Sequence, residues 1–192
     1  MLKINTHLVR TRKELLKKHP NMYLHQIVST YPTDCFINIE DEAGMTDFQH
    51  NIEEFYNQYC ITIQYNDSVI VSHDFIGIEL WYSYIHMMSK YIREGKAVEE
   101  YGIDPIEFVL ETIGGDLVRF SIRNSYDKKE SVVADLPRDE FLSEMIQSAQ
   151  KYYETMIRFQ PKYERQYNRV AKHIKYIMEA IEGKGNGTEL QG

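Results

Sequence analysis

The chain has 192 residues, a net charge of −7 and only two cysteines. This length can bury a real core in one domain without disulfides or structural metal. No run of about 18 apolar residues is present, and MLKINTHLVRTRKELLKKHP has neither an apolar h-region nor a small-residue cleavage site, which argues against a membrane span and a secretory leader.

In chain order, Thr6 is placed to cap a helix running to about His19, where Pro20 stops it. Residues 21–33 give no clear pattern. In DCFINIED (34–41), Cys35, Ile37 and Ile39 alternate onto one face of a strand. Thr46 and Gln49 have capping-box spacing, and Phe48, Ile52, Phe55, Tyr56 and Tyr59 then recur at helical intervals. CITIQY and SVIVS flank Asn66-Asp67, a two-residue hairpin turn.

The run FIGIELWYSYIHMMSKYIREG (75–95) predicts a helix capped by Asp74 and ended by Gly95. Its apolar positions, Ile78, Trp81, Tyr82, Ile85, Met88, Tyr91 and Ile92, form one broad face, read as core packing with Met filling irregular gaps. IEFVLETI, LVRFSIRN and ESVVADL then predict a three-stranded meander, turning first at Gly114-Gly115, with Ile106, Phe108, Leu110, Val118, Phe120 and Ile122 inward. Pro137 opens a long helix, Pro161 interrupts it, and Tyr163, Tyr167, Val170, Ile174, Ile177 and Ile181 follow a heptad-like seam. The sum is one α+β domain over residues 1–182. It has an antiparallel sheet of about six strands, helices mainly on one face, a long C-terminal helical pair, and a flexible tail over 183–192.

Chemistry-bearing patterns are weak. His50 and Glu53 at i, i+3 supply two candidate metal ligands where a site needs four, and neither cysteine stands in a CxxC; no metal and no cofactor is expected. His73 and His86 bracket the aromatic helix and read as partly buried structural residues. Cys35 and Cys60 read as buried free thiols of an intracellular, cytoplasmic protein. No GxSxG, HExxH or P-loop spacing occurs, and GKGNG lies outside any strand-to-helix context. No enzyme is expected.

The distribution of charge is more informative. Residues 1–20 set Lys3, Arg10, Arg12, Lys13, Lys17 and Lys18 against Glu14 alone; residues 158–175 set Arg158, Lys162, Arg165, Arg169, Lys172 and Lys175 against Glu164 alone. The body between them is strongly acidic. Two readings follow. The acidic body steers a basic protein partner, with Glu40, Asp41, Glu42, Asp47, Glu53, Glu54, Glu99 and Glu100 as candidate contacts. Alternatively, the basic helix 158–175 presents Arg158, Lys162, Arg165, Arg169 and Lys172 as one phosphate-binding stripe for nucleic acid. A simpler internal role is also open: basic helices docking on the acidic body. The 163–181 seam predicts either self-association or packing against the 138–159 helix.

GIELWYSYIHMMSKYIREG, then VRFSI, then VADLPRDEFLSEMIQSAQKYYE resembles the layout of small bacterial immunity proteins from toxin–immunity cassettes, over roughly residues 60–157. The resemblance implies a non-enzymatic protein that binds and blocks a cognate toxin. It carries over no interface residue, since that family shares no motif that would place one.

Overall fold

Strict alternation opens the chain: Leu2, Ile4, Thr6 and Leu8 are buried while Lys3 is exposed and Asn5, His7 and Val9 are partly so. Period-two patterning of this kind makes a strand. A computed structural model, describing residues 1–53, 56–101 and 105–183, accordingly begins with β1 (Leu2–Val9). The helix expected from Thr6 is therefore shorter and starts later, as α1 (Arg12–Lys18). Thr11 is its cap: its Oγ1 accepts from the Glu14 amide while its own amide donates to Glu14 Oε2 at 2.9 Å.

The unassigned stretch after Pro20 folds as α2 (Leu24–Thr30) and a 3-10 turn (Pro32–Cys35). Strand β2 (Phe36–Asn38) is shorter than expected, although Cys35, Ile37 and Ile39 are all buried as the alternation requires. The Thr46 capping box is not used. Asp41 instead caps α3 (Glu42–Phe48), its Oδ1 accepting from the Gly44 amide at 3.0 Å, and Thr46 sits inside the helix with its hydroxyl bonded back to the Glu42 carbonyl. The helical spacing predicted through Tyr59 fails: Gln49–Asn51 is a 3-10 turn and Tyr59 starts β3; Phe55, part of that reading, lies outside the described residues.

β3 (Tyr59–Tyr65) and β4 (Ser68–Val71) form the expected hairpin, with Asn66 at φ 53°. Asp74 does not cap the aromatic helix; it accepts from Ser72 Oγ. Residues Ile76–Gly77 form a short β5 against Tyr59 and Cys60, and α4 (Leu80–Glu94) begins only after Glu79, which takes the left-handed conformation at φ 50°. Gly95 ends α4 at φ 70°, as a C-terminal glycine does.

Four strands follow, not three: β6 (Lys96–Glu100), β7 (Ile106–Gly114), β8 (Leu117–Asn124) and β9 (Glu130–Pro137). β6 is short and charge-rich, which hides it in sequence and suits an edge. Then come α5 (Arg138–Phe159), a 3-10 turn at Pro161–Tyr163 and α6 (Glu164–Ile181).

The strands divide into two antiparallel sheets instead of one. The first has the order β2-β1-β3-β4, with β5 also beside β3; the second is the meander β6-β7-β8-β9. Leu2, Ile4 and Leu8 of the first sheet, Phe108, Leu110, Val118, Phe120 and Ile122 of the second, and the inner faces of α4, α5 and α6 share one core. Leu15, Ile27 and Cys35 make a small separate cluster under α1 and α2. The 163–181 seam is consumed internally: Tyr163, Val170, Ile174 and Ile177 are buried within the chain, where α6 packs on α4 and α5.

Candidate interaction groove

With Phe141, Leu142, Met145, Ile146, Ala149, Tyr152, Tyr153 and Met156 of α5 in the core, its other face is left as a polar stripe: Glu144, Gln147, Ser148, Lys151, Glu154, Thr155 and Arg158. The stripe runs over fifteen residues, about 21 Å from end to end at 1.5 Å per step. Along it run two adjoining clefts. One, of about 270 Å³, lies between Glu144–Lys151 and residues Lys3–Thr6 of β1. The other, of about 460 Å³, lies between Lys151–Arg158 and the β2–α3 connection. Ile39, Glu40 and Lys151 line both, so the two form one groove.

Two ion pairs cross it. Lys151 Nζ meets Glu40 Oε1 at 2.5 Å, and an Arg158 guanidinium nitrogen meets Glu42 Oε2 at 2.6 Å. All four side chains are about half exposed, so each pair orients the wall more than it stabilises the fold. Glu154 is exposed and Glu144 partly so, and neither forms an ion pair among the described residues. Lys3 also lines the groove, which therefore keeps an acidic surplus of a single charge.

The predicted acidic contacts do not form one patch. Glu40 and Glu42 stand in the groove, and Asp41 between them is committed to capping α3. Asp47 projects into a different cleft, of about 580 Å³, opposite Arg10, Lys13, Lys17 and Lys18. Glu53 lines a third cleft with Arg10 and Arg12; Glu54 lies outside the described residues. Glu99 and Glu100 belong to β6 in the other sheet. Glu99 sits opposite Phe108, where burial raises its carboxyl pKa against the pull of Lys90, and Glu100 sits opposite Glu107.

The predicted basic stripe is also divided, because the break at Pro161 destroys the helical phase that spacing alone assumed. Arg158 ends α5 and pairs with Glu42; Lys162 is in the 3-10 turn; only Arg165, Arg169 and Lys172 share α6. Arg169 is committed as well, at 2.6 Å from Glu79 and over the Tyr82 ring at 4.4 Å. Two cations of the 158–175 segment thus dock on acidic partners within the chain, Arg158 on Glu42 and Arg169 on Glu79, and Lys151 in the middle of α5 does so on Glu40.

Histidine pairs form a feature that sequence spacing did not show. His86 rests on Tyr82 and faces His173 with ring centroids 4.5 Å apart; Ser89 Oγ lies 3.0 Å from His173 Nδ1. Burial first, then His173 and the nearby Arg169, Arg93 and Lys172, lower the His86 pKa to about 4. His7 and His73 pair similarly at 4.6 Å, and burial followed by His73 lowers His7 to about 4. The His7, His86 and His173 rings contact aromatic and hydroxyl groups, which suits packing of neutral imidazoles; His73, expected to be partly buried, is exposed. The His50–Glu53 pairing fails because no helix continues through it, and among the described residues no three His, Cys, Asp or Glu side chains gather as a metal site. Cys35 and Cys60 are both buried free thiols. Among the described residues no helix is long and apolar enough to cross a membrane.

The sequence marks the groove's α5 wall only faintly, as polar residues recurring between the apolar positions of a long helix. No protein-family model, curated protein or solved structure matches the chain.

Proposed function

We propose that this chain is a non-catalytic, intracellular protein-binding module whose ligand is a basic protein, and in its most specific form an immunity protein that binds and neutralises a toxin. The observation that supports this reading is the groove beside α5: about 21 Å long, mostly polar, lined by Glu40, Glu42, Glu144 and Glu154 against Lys3, Lys151 and Arg158. A surface of this kind offers shape and complementary charge to a protein ligand, and its acidic surplus accelerates encounter with a basic one. The competing nucleic-acid reading loses two of its five cations, Arg158 and Arg169, to internal carboxylates.

The test is purification from the native cell at low salt, identification of a stoichiometric companion, and measurement of its association rate with the purified chain. A basic protein whose on-rate falls with salt, and falls again in Glu144→Lys/Glu154→Lys, supports the proposal. A companion that is nucleic acid, or an on-rate indifferent to salt and to both substitutions, refutes it.

A further inference from the structure

β1 is paired along its whole length on one side and along less than half of it on the other. Toward β3 the register runs from Leu2↔Tyr65 to Leu8↔Tyr59 without a break. Toward β2 it covers only His7↔Asn38, Leu8↔Ile37 and Val9↔Phe36, with one more bond from the Ile39 amide to the Thr6 carbonyl at 3.1 Å. After Ile39 the chain turns away through Glu40 to cap α3 with Asp41.

In an antiparallel ladder alternate residues direct both backbone groups to the same neighbour. Thr6, Leu8 and Arg10 bond toward β2, and Val9 bonds toward the β3 side at Gln58, so the even residues own this edge. Four groups on it meet no partner among the described residues: the Leu2 carbonyl, the Ile4 amide and carbonyl, and the Thr6 amide. The Leu2 amide, next in line, is closed by Glu140 Oε1 at 2.8 Å. The open stretch thus has two defined ends, Ile39 at one and Glu140 at the other. Between them lies the cleft of about 270 Å³, which Lys3, Ile4, Asn5 and Thr6 line directly.

Four backbone groups spaced as a strand ladder are matched by an extended backbone and by little else. The open stretch covers about 14 Å at 3.4 Å per residue, enough for a strand of four or five residues. A guest there continues the line of β2. Residues facing each other across a ladder share a face, so the guest residue opposite Ile4 directs its side chain to the α5 side, toward Glu144.

We infer that the open β1 edge is a strand-addition site, taking an extended segment of a basic partner protein that pairs with Ile4 and carries lysine or arginine at every second position. The inference rests on the protein-binding reading above and gives that binding a backbone geometry. It also accounts for an edge left open, since unpaired edges invite unwanted pairing and are usually covered.

The probe is an alternating lysine–valine heptapeptide, acetylated and amidated, added to the full chain. Two N-methylated versions accompany it, one methylated at the lysines and one at the valines; they have equal charge, and only one phase can pair with Ile4. Expected are binding that falls about tenfold or more on methylation at lysine but little at valine, and slowed hydrogen exchange at the Ile4 and Thr6 amides with Lys3 and Asn5 unchanged. Ser148→Trp, which fills the cleft from α5, should reduce binding to a similar degree. The peptide comparison stands even if that variant folds poorly. No binding, equal sensitivity in both phases, or unaltered exchange at Ile4 and Thr6 overturns the inference. So does protection that grows as the protein alone is concentrated, which would make the guest a second copy. If a native basic partner binds with salt-dependent kinetics yet leaves Ile4 and Thr6 exchanging as before, strand addition falls and the protein-binding reading survives.

Discussion

Trp81 donates its Nε1–H to Thr6 Oγ1 across 3.0 Å, joining the first turn of α4 to the core face of β1 over 75 residues of chain. Both groups are buried, and the Trp81 amide is itself held by Tyr59 OH at 2.8 Å. Replacing Thr6 with Val keeps the shape but strands a buried indole N–H. Thr6→Val should therefore cost about 1–3 kcal/mol in urea denaturation. Trp81→Phe should relieve part of that penalty, so the double variant should cost less than the sum of the two single variants.

Stability should fall as pH drops from about 6.5 to about 4. His7 and His86 are held neutral in the fold with pKa values near 4, below the unfolded value of 6.5, so in this window the unfolded chain binds more protons than the native one. Melting temperatures followed by circular dichroism across this range check the slope. His86→Gln should flatten it. An unchanged slope would mean that His86 is charged in the fold.

Gly44 is required where α3 starts. A Cβ there would lie 2.5 Å from Asp41 Oδ2, the side chain that caps the helix. Gly44→Ala should displace the cap at a cost of about 1 kcal/mol, despite alanine's better helix propensity. Asp41→Ala should cost a similar amount in the wild-type background and much less in Gly44→Ala, read from chemical denaturation.

Neither thiol should react with a disulfide reagent in the native protein. Cys35 and Cys60 are buried, and burial pushes the Cys60 thiol up to about 12, away from the reactive thiolate. Both should label promptly in denaturant. Rapid labelling of Cys60 under native conditions would contradict its placement in β3.

The Glu40–Lys151 pair should couple by no more than about 1 kcal/mol in a double-mutant cycle of alanine variants, because both side chains are half exposed. A larger coupling would show that the groove wall is stiffer than its exposure implies.

Legibility tracked locality. The Asn66-Asp67 turn, Gly95, the Gly114-Gly115 turn, Pro137 and Pro161 each act within a few residues, and each marks a boundary the fold uses. The failures came where neighbouring signals competed. Thr6 has capping chemistry, but the alternation from Leu2 to Val9 dominates because it buries four side chains at once. Thr46 lost its capping role to Asp41, which reaches the Gly44 amide first. The division into two sheets left no local mark. As for the candidate site, Glu40 and Glu42 could be named from sequence only as acids among acids. Their significance comes from Lys151 and Arg158, 111 and 116 residues away, and no spacing rule reaches that far. The basic stripe failed for a related reason: helical phase is meaningful only within one helix, and Pro161 separates Arg158 from α6.

The reach of α5 back to β1 has a consequence for synthesis. The Leu2 amide is closed by Glu140, 138 residues later, and the apolar face of β1 is covered by the same helix. At about 5–20 residues per second, a ribosome needs on the order of ten seconds to make the intervening chain. Throughout that interval Leu2, Ile4 and Leu8 are translated but lack the cover that α5 gives them. The nascent chain thus has a long aggregation-prone phase that ends only when the 138–159 segment clears the exit tunnel, so premature termination anywhere before it should yield insoluble protein instead of a stable smaller domain.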